Sequence, residues 1–250
     1  MTGEAYDTIG IGYADQRRPD PRIDARLRQA LGDAATVVNV GAGAGSYEPT
    51  DRPVVAVEPS VAMIAQRPAS AAPALRAIAG RLPFRDQAFD GALVTLSVHH
   101  WPAPTAGLAD VRRVTRGPVV VFTFDHAVHA DQWLVTDYLP EMAELDRRLP
   151  SPDAIARTLG GGTVDVLPVP HDCTDGFCHA WWRRPAAYLD PGVRAAISGI
   201  ARLPGPVVDR AVAALRQDLA TGRWHRRHRH LLDTTEVDAG YRLVVSPGRT

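Results

Sequence analysis

Short, nearly unbroken apolar runs punctuate the first half of the chain, at 36–41 (TVVNVG), 53–59 (PVVAVEP), 74–80 (ALRAIAG), 89–98 (FDGALVTLSV) and 117–124 (GPVVVFTF), with 163–169 (TVDVLPV) a candidate sixth. Between them apolar residues recur every three or four positions, over 20–31, 60–65, 104–114, 131–149 and 151–159, which predicts helices. Strands without polar alternation, separated by helices, predict a doubly wound, mainly parallel α/β sheet covered on both faces. This rhythm stops after Val169. Residues 171–235 are rich in Arg, Trp, His and Pro and read as helices and loops, before GYRLVVS (240–246) returns as a last strand. The expected organisation is one domain over 1–250. It has an N-terminal lid segment at 1–35, a core at 36–170, an inserted helical cap at 171–235 and the final strand within 236–250.

Composition narrows the chemistry. The 28 basic and 28 acidic residues cancel, so no global field draws the chain to nucleic acid or an anionic membrane. Every basic residue is Arg; with no Lys, Schiff-base catalysis and the P-loop lysine are excluded. Cys173 and Cys178 match neither a redox pair nor a zinc set, and no metal is expected. The first residues, MTGEAYDTIG, lack a signal-peptide pattern and no stretch is apolar enough to cross a bilayer, which predicts a soluble, cytoplasmic protein.

The sharpest motif is VVNVGAGAGSYEP at 37–49, where Gly41, Gly43 and Gly45 follow the first strand. In open α/β sheets ligands bind at this turn, and glycine there permits positive φ and close approach of the backbone. A dinucleotide fingerprint needs G-x-G-x-x-G/A, but Ser46 fills its third slot, so the spacing argues against a nicotinamide cofactor. Glu58 ends the second strand 17 positions after Gly41, close to the distance at which a carboxylate meets a ribose hydroxyl pair. Met63, one turn further, fits either an adenine face or ordinary core.

Taken together, NVGAGAGSY, VVAVEPSVAMI, LPFRDQAFDGALVTLSVHHW and LADVRRVTRGPVVVFTFD resemble the successive motifs of class I S-adenosylmethionine-dependent methyltransferases, in particular small-molecule methyltransferases with an LPF…FD segment. The resemblance spans about 37–125. It implies a Rossmann-like methyltransferase fold with a seven-stranded sheet whose last strand is antiparallel, and S-adenosylmethionine as cofactor. It places the methionine part over Gly41, Ala42, Gly43 and Gly45, the ribose on Glu58 beside Pro59, and the adenine near Met63, Ala79 and Gly80. Asn39 and Ser97 complete that set. The resemblance also offers Tyr13 and Arg17, on an N-terminal segment folding over the cofactor, as contacts to its carboxylate or the substrate, with a solvated basic stretch the competing reading. Asn39 departs from the family, which usually carries Asp or Glu there; an amide cannot pair with the cofactor's ammonium as an ion.

Methyl transfer is an in-line displacement that depends mainly on positioning, and a base is needed only if the acceptor must lose a proton. His99 and His100, just past the fourth strand, are the candidate catalytic residues, as a base or a substrate contact; shaping of the loop is the competing role. Asp125 with His126 and His171 with Asp172 are weaker acid–base candidates. Arg223 to His230 (RWHRRHRH) reads as a solvated helix face, and Trp181 and Trp182 as a pocket wall or as packing. The expected partner is a small-molecule acceptor rather than nucleic acid or membrane. A non-catalytic binder of the same cofactor and a nucleotide-dependent oxidoreductase are the alternatives.

Overall fold

The structure, a computed structural model, describes residues 17–248. Five strands, β1 (Val37–Val40), β2 (Val54–Val57), β3 (Ala74–Leu75), β4 (Gly91–Thr95) and β5 (Val119–Phe124), run parallel. After them come β6 (Thr163–Val166), β7 (Val169–Pro170), β8 (Glu236–Val237) and β9 (Tyr241–Ser246). The main sheet has the order β3-β2-β1-β4-β5-β9-β6, with β9 antiparallel to both neighbours, and β7 pairs with β8 alone.

Helix α1 (Pro21–Leu31) precedes β1, α2 (Val61–Ala65) follows β2 and α3 (Pro104–Val114) follows β4. After β5 come α4 (His126–Ala130), α5 (Trp133–Asp137), α6 (Glu141–Asp146) and α7 (Pro152–Thr158); after β7 come α8 (Pro191–Ala195), α9 (Ser198–Ala201), α10 (Gly205–Ala220), α11 (Arg223–Arg227) and α12 (Arg229–Leu232). Alternate strand residues enter two cores. Val37, Leu93, Val120 and Phe122 pack with Ile23, Leu27 and Leu31 of α1. Val38, Val40, Val94 and Val121 pack with α3 and α7 on the opposite face. Both faces are covered, which is why these strands carry almost no polar residue.

Two expectations change. The strand expected over 74–80 is cut to Ala74–Leu75, because the chain then leaves the sheet and turns at Gly80, with φ of 91°. The helix expected over 131–149 is two, α5 and α6. Tyr138 leaves helical φ at −128°, and Pro140, without an N–H, starts the next helix. A third core joins these pieces to the segment before β9: Trp133, Leu134 and Met142 pack with Tyr188, Ile197, Ile200, Leu215 and Trp224. The helical cap is therefore built from the β5–α7 connection as well as from 171–235. Among the described residues no helix is long and apolar enough to cross a membrane.

Candidate functional site

A cavity of about 260 Å³ opens at the carboxyl ends of β1, β2 and β4. Gly41, Ala42, Gly43, Glu58, Pro59, Met63, Ala79, Ser97 and Arg17 line it, as do Ile78, Leu96, His100 and Trp101. The three glycines have separate reasons. Gly41 has φ of 72°, and a Cβ there would lie 2.5 Å from the Ser97 hydroxyl oxygen. Gly43, at φ of 52°, lies under Met63, whose terminal methyl would be 3.2 Å from an added Cβ. Gly45, at φ of 97°, backs onto Arg67 and Glu48 and does not line the cavity. Gly80 likewise stands outside it, packed near α3.

Glu58 is buried with its carboxylate on the cavity wall. Its Oε2 accepts the Gly43 N–H at 2.8 Å and its Oε1 accepts the Ser60 N–H at 2.9 Å. Each oxygen keeps a lone pair for a further donor. Burial raises its pKa, against the pull of the two backbone N–H groups and Arg67. Ser60 then caps α2, its hydroxyl accepting the Met63 N–H, so one turn places both Glu58 and Met63.

Asn39 is fully buried beneath the loop, outside the cavity, and its amide nitrogen donates to Glu48 Oε1 at 3.1 Å. It thus lies behind the cavity wall rather than on it, because its side chain turns to Glu48; a carboxylate at 39 would face that of Glu48 as a like charge. Arg17 does reach the cavity, but its Nε and one terminal nitrogen already bind Asp175, at 2.6 and 3.2 Å. Tyr47 donates its hydroxyl to the same Asp175 at 2.9 Å. Tyr13 lies outside the described residues.

A second cavity, of about 60 Å³, shares Arg17, Leu96 and His100 with the first. The sheet end supplies His99, Phe124, His129 and Tyr241, and the cap supplies Met142, Asp146, Ile197 and Arg202. Leu96 lines both cavities with φ of 45°, an uncommon backbone for a bulky residue. Burial, then the nearby Arg202 and Arg17, holds His99 at about 3, and burial likewise holds His100 well below its usual value. Both rings stay neutral near pH 7. The Asp146 carboxyl takes no hydrogen bond or ion pair among the described residues, and burial lifts its pKa to about 6 against the pull of Arg202 and His126. Asp146 and Arg202 line this cavity without having been candidates from sequence; nothing in their spacing signals it.

The remaining candidates do not converge here. Asp125 caps α4 through the Ala127 N–H. His171 and Asp172 stand 4.0 Å apart at the surface, where Asp172 pairs with Arg22. His228 bonds Asp137 at 2.8 Å, which ties the 223–230 cluster to α5. Trp182 donates to the Val169 carbonyl and Trp133 to the Trp182 carbonyl, packing cap on core. Among the described residues no group of three His, Cys, Asp or Glu can hold a metal ion.

A parallel sheet closed by one antiparallel strand, a glycine turn after β1 and a carboxylate after β2 define the class I methyltransferase architecture. Residues 38–122 match the family described as Methyltransferase domain. A crystal structure from Anabaena variabilis, of a protein described as a methyltransferase from an antibiotic biosynthesis pathway, is similar at 29% identity and a TM-score of 0.86, covering 92% of this chain and 98% of that chain. The [4+2]-cyclase SpnF shares the fold at 16% identity and TM-score 0.51, over 99% and 96% of the two chains. So does geranyl diphosphate C-methyltransferase from Streptomyces coelicolor, solved with S-adenosyl-L-homocysteine, at 15%, 0.50, and 91% and 78%. No curated protein matches the chain. Residues 38–122 thus match a methyltransferase domain, and the fold is that of the S-adenosylmethionine-dependent class I methyltransferases.

Proposed function

We propose that the protein methylates a small molecule seated in the second cavity, with S-adenosylmethionine in the first. The observation that carries this reading is that the two cavities meet at Leu96, His100 and Arg17, so that a donor methyl and an acceptor atom can face each other. The residues fit the donor. Glu58 offers lone pairs to a ribose diol, Met63 and Ile78 offer apolar faces to an adenine, and the side-chain-free turn at Gly41 and Gly43 lets a methionine part lie on the backbone. Arg17, Ser97 and Ala79 complete that wall, while Asn39, Gly45 and Gly80 support it from outside.

The donor supplies an electrophilic methyl group on sulfur. The chain's part is alignment in a dry pocket. His99 and His100, neutral and close to the junction, orient the acceptor by hydrogen bonding; held so far below neutrality, His99 is a weak base. Asp146, at about 6, is the group best matched to take a proton from an acceptor hydroxyl or amine near pH 7. The cap covers the second cavity and its space is small, which favours an enclosed small molecule over RNA or protein. The pathway described for the Anabaena protein supports the same class of acceptor. Two free thiols and the lack of net charge suit a reducing cytoplasm.

The test incubates the protein and S-adenosylmethionine with a panel of small phenols, carboxylic acids and amines, and follows S-adenosylhomocysteine and methylated product by mass spectrometry. Turnover of a panel member supports the reading. Labelling of RNA or protein substrates, with every small molecule inert, contradicts it.

A further inference from the structure

We propose that Arg67, seated on Glu48, sets the affinity for the methyl donor by holding the backbone of Gly43 in place. The inference rests on the reading that the donor lies over the 41–45 turn. Neither Arg67 nor Glu48 lines the cavity, so Arg67 acts as a positioning residue and touches no part of the donor.

A turn built on glycine has no side chains with which to hold itself, and glycine gives up more backbone freedom on ordering than any other residue. Something outside the turn must fix it before the donor arrives, or the donor's own binding energy is spent on ordering it. The structure shows that support. The Gly43 N–H is bound by Glu58 at 2.8 Å, and the Gly43 carbonyl accepts from Arg67 Nη1 at 3.1 Å. Gly43 is thus gripped from both sides, by the residue proposed to bind ribose and by Arg67.

Arg67 is itself fixed. Its Nη2 donates to both oxygens of Glu48 at 2.7 Å and to the Ala72 carbonyl at 2.9 Å. Glu48 accepts in turn from the Ala72 N–H at 3.2 Å and from the Asn39 amide at 3.1 Å. The side chains of the pair are only 5% and 6% exposed, so this is a buried ion pair, in which removal of one partner leaves an uncompensated charge. The fork of a guanidinium can serve the Gly43 carbonyl, the Ala72 carbonyl and a carboxylate together; a lysine ammonium cannot match that planar geometry. Gly45 lies against the same pair: an added Cβ would come within 3.3 Å of Arg67 Nη1 and 3.4 Å of Glu48 Oε2. Asn39 belongs to the support as its neutral donor. The charge of Arg67 also helps keep Glu58 ionised.

Binding of S-adenosylhomocysteine, measured by calorimetry alongside thermal unfolding, tests this on the full-length protein. Arg67→Lys keeps the charge next to Glu48 and is expected to stay folded, while its Kd for the ligand rises about tenfold or more through loss of the Gly43 contact. Asn39→Asp sets two carboxylates face to face and is expected to weaken binding to a similar degree. The double variant Asn39→Asp with Glu48→Gln moves the single negative charge to the other end of the same hydrogen bond. It should bind more tightly than Asn39→Asp alone. A folded Arg67→Lys protein with wild-type Kd overturns the inference; so does a double variant that regains unfolding temperature without regaining affinity, which marks the network as merely structural. If Arg67→Lys fails to fold, the Asn39 and Glu48 pair of variants decides. Failure of the wild-type protein to bind the ligand overturns the donor-site reading itself.

Discussion

The larger cavity draws its walls from short stretches beside consecutive strand ends, residues 41–46, 58–63, 77–79 and 95–102, with Arg17 the one distant contributor among the described residues. The smaller cavity is gathered from Arg17, Leu96 to His100, Phe124, His129, two cap helices, Phe177 and Tyr241, scattered over most of the described chain. The first is shaped by backbone, with positive φ at Gly41 and Gly43 and two N–H groups fixed on Glu58. The second is shaped by side chains, with neutral imidazoles on one wall and Asp146 and Arg202 on the cap. A cofactor common to many reactions suits walls made of backbone, whereas the partner that distinguishes one enzyme from another is met by side chains on a variable cap.

Gly41→Val should break the first cavity outright. At φ of 72° and with a Cβ 2.5 Å from the Ser97 oxygen, it combines backbone strain with a collision, a cost of more than about 3 kcal/mol in donor binding and stability together. Calorimetry and thermal unfolding report the two parts.

Acidification should strike the second cavity through His129 on its wall and His179 packed behind it. His129 and His179 are buried, their rings packed 4.3 Å apart, and each has a ring nitrogen with no hydrogen-bond partner among the described residues. Burial lowers His179 to about 3 and His129 well below its usual value. Their folded pKa lies below the unfolded one, so the stability they contribute is present above pH 6.5 and is lost as pH falls. Each ring costs about 1 kcal/mol between pH 6.5 and 5.5, so the unfolding free energy from urea titration should drop by about 2 kcal/mol over that step.

Glu58→Ala sharpens the comparison from the donor side. Loss of the carboxylate removes charge-assisted bonds and frees the Gly43 N–H, which predicts a weakening of donor binding by about 2 kcal/mol with little change in affinity for an acceptor. Asp146→Asn gives the smallest effect on stability. Its folded pKa of about 6 stands above the unfolded value, so the charged form opposes folding as pH rises through 6. The amide should stabilise the protein by on the order of 1 kcal/mol at pH 8, after allowance for solvent screening, and leave it unchanged at pH 4.

Much of the sheet, and Glu58, Met63, Ser97 and the loop at Gly41 and Gly43, were legible in the sequence because they follow from local order: strand, tight turn, capped helix, acid at the next strand end. Asn39 read as a departure from the family, and only the fold shows why, since Glu48, nine positions on, already supplies the negative charge beneath the turn. Arg67 closes that network from beyond α2, and no periodicity marks it. The cap was half legible. Its second half showed in the change of composition at 171, but its first half, α5 and α6, resembled one ordinary helix until Trp133 met Trp224 and Asp137 met His228 across 91 residues. Long-range pairing of this kind leaves no pattern along the chain.

The turn at Gly41 and Gly43, with Glu58 beside it, is the proposed seat of the methyl donor. Titration of S-adenosylmethionine into the wild-type protein by isothermal calorimetry tests it most directly. Saturable binding, weakened at least about tenfold by Glu58→Ala, is the predicted result; absence of heat up to about millimolar donor, or binding indifferent to Glu58, would contradict it.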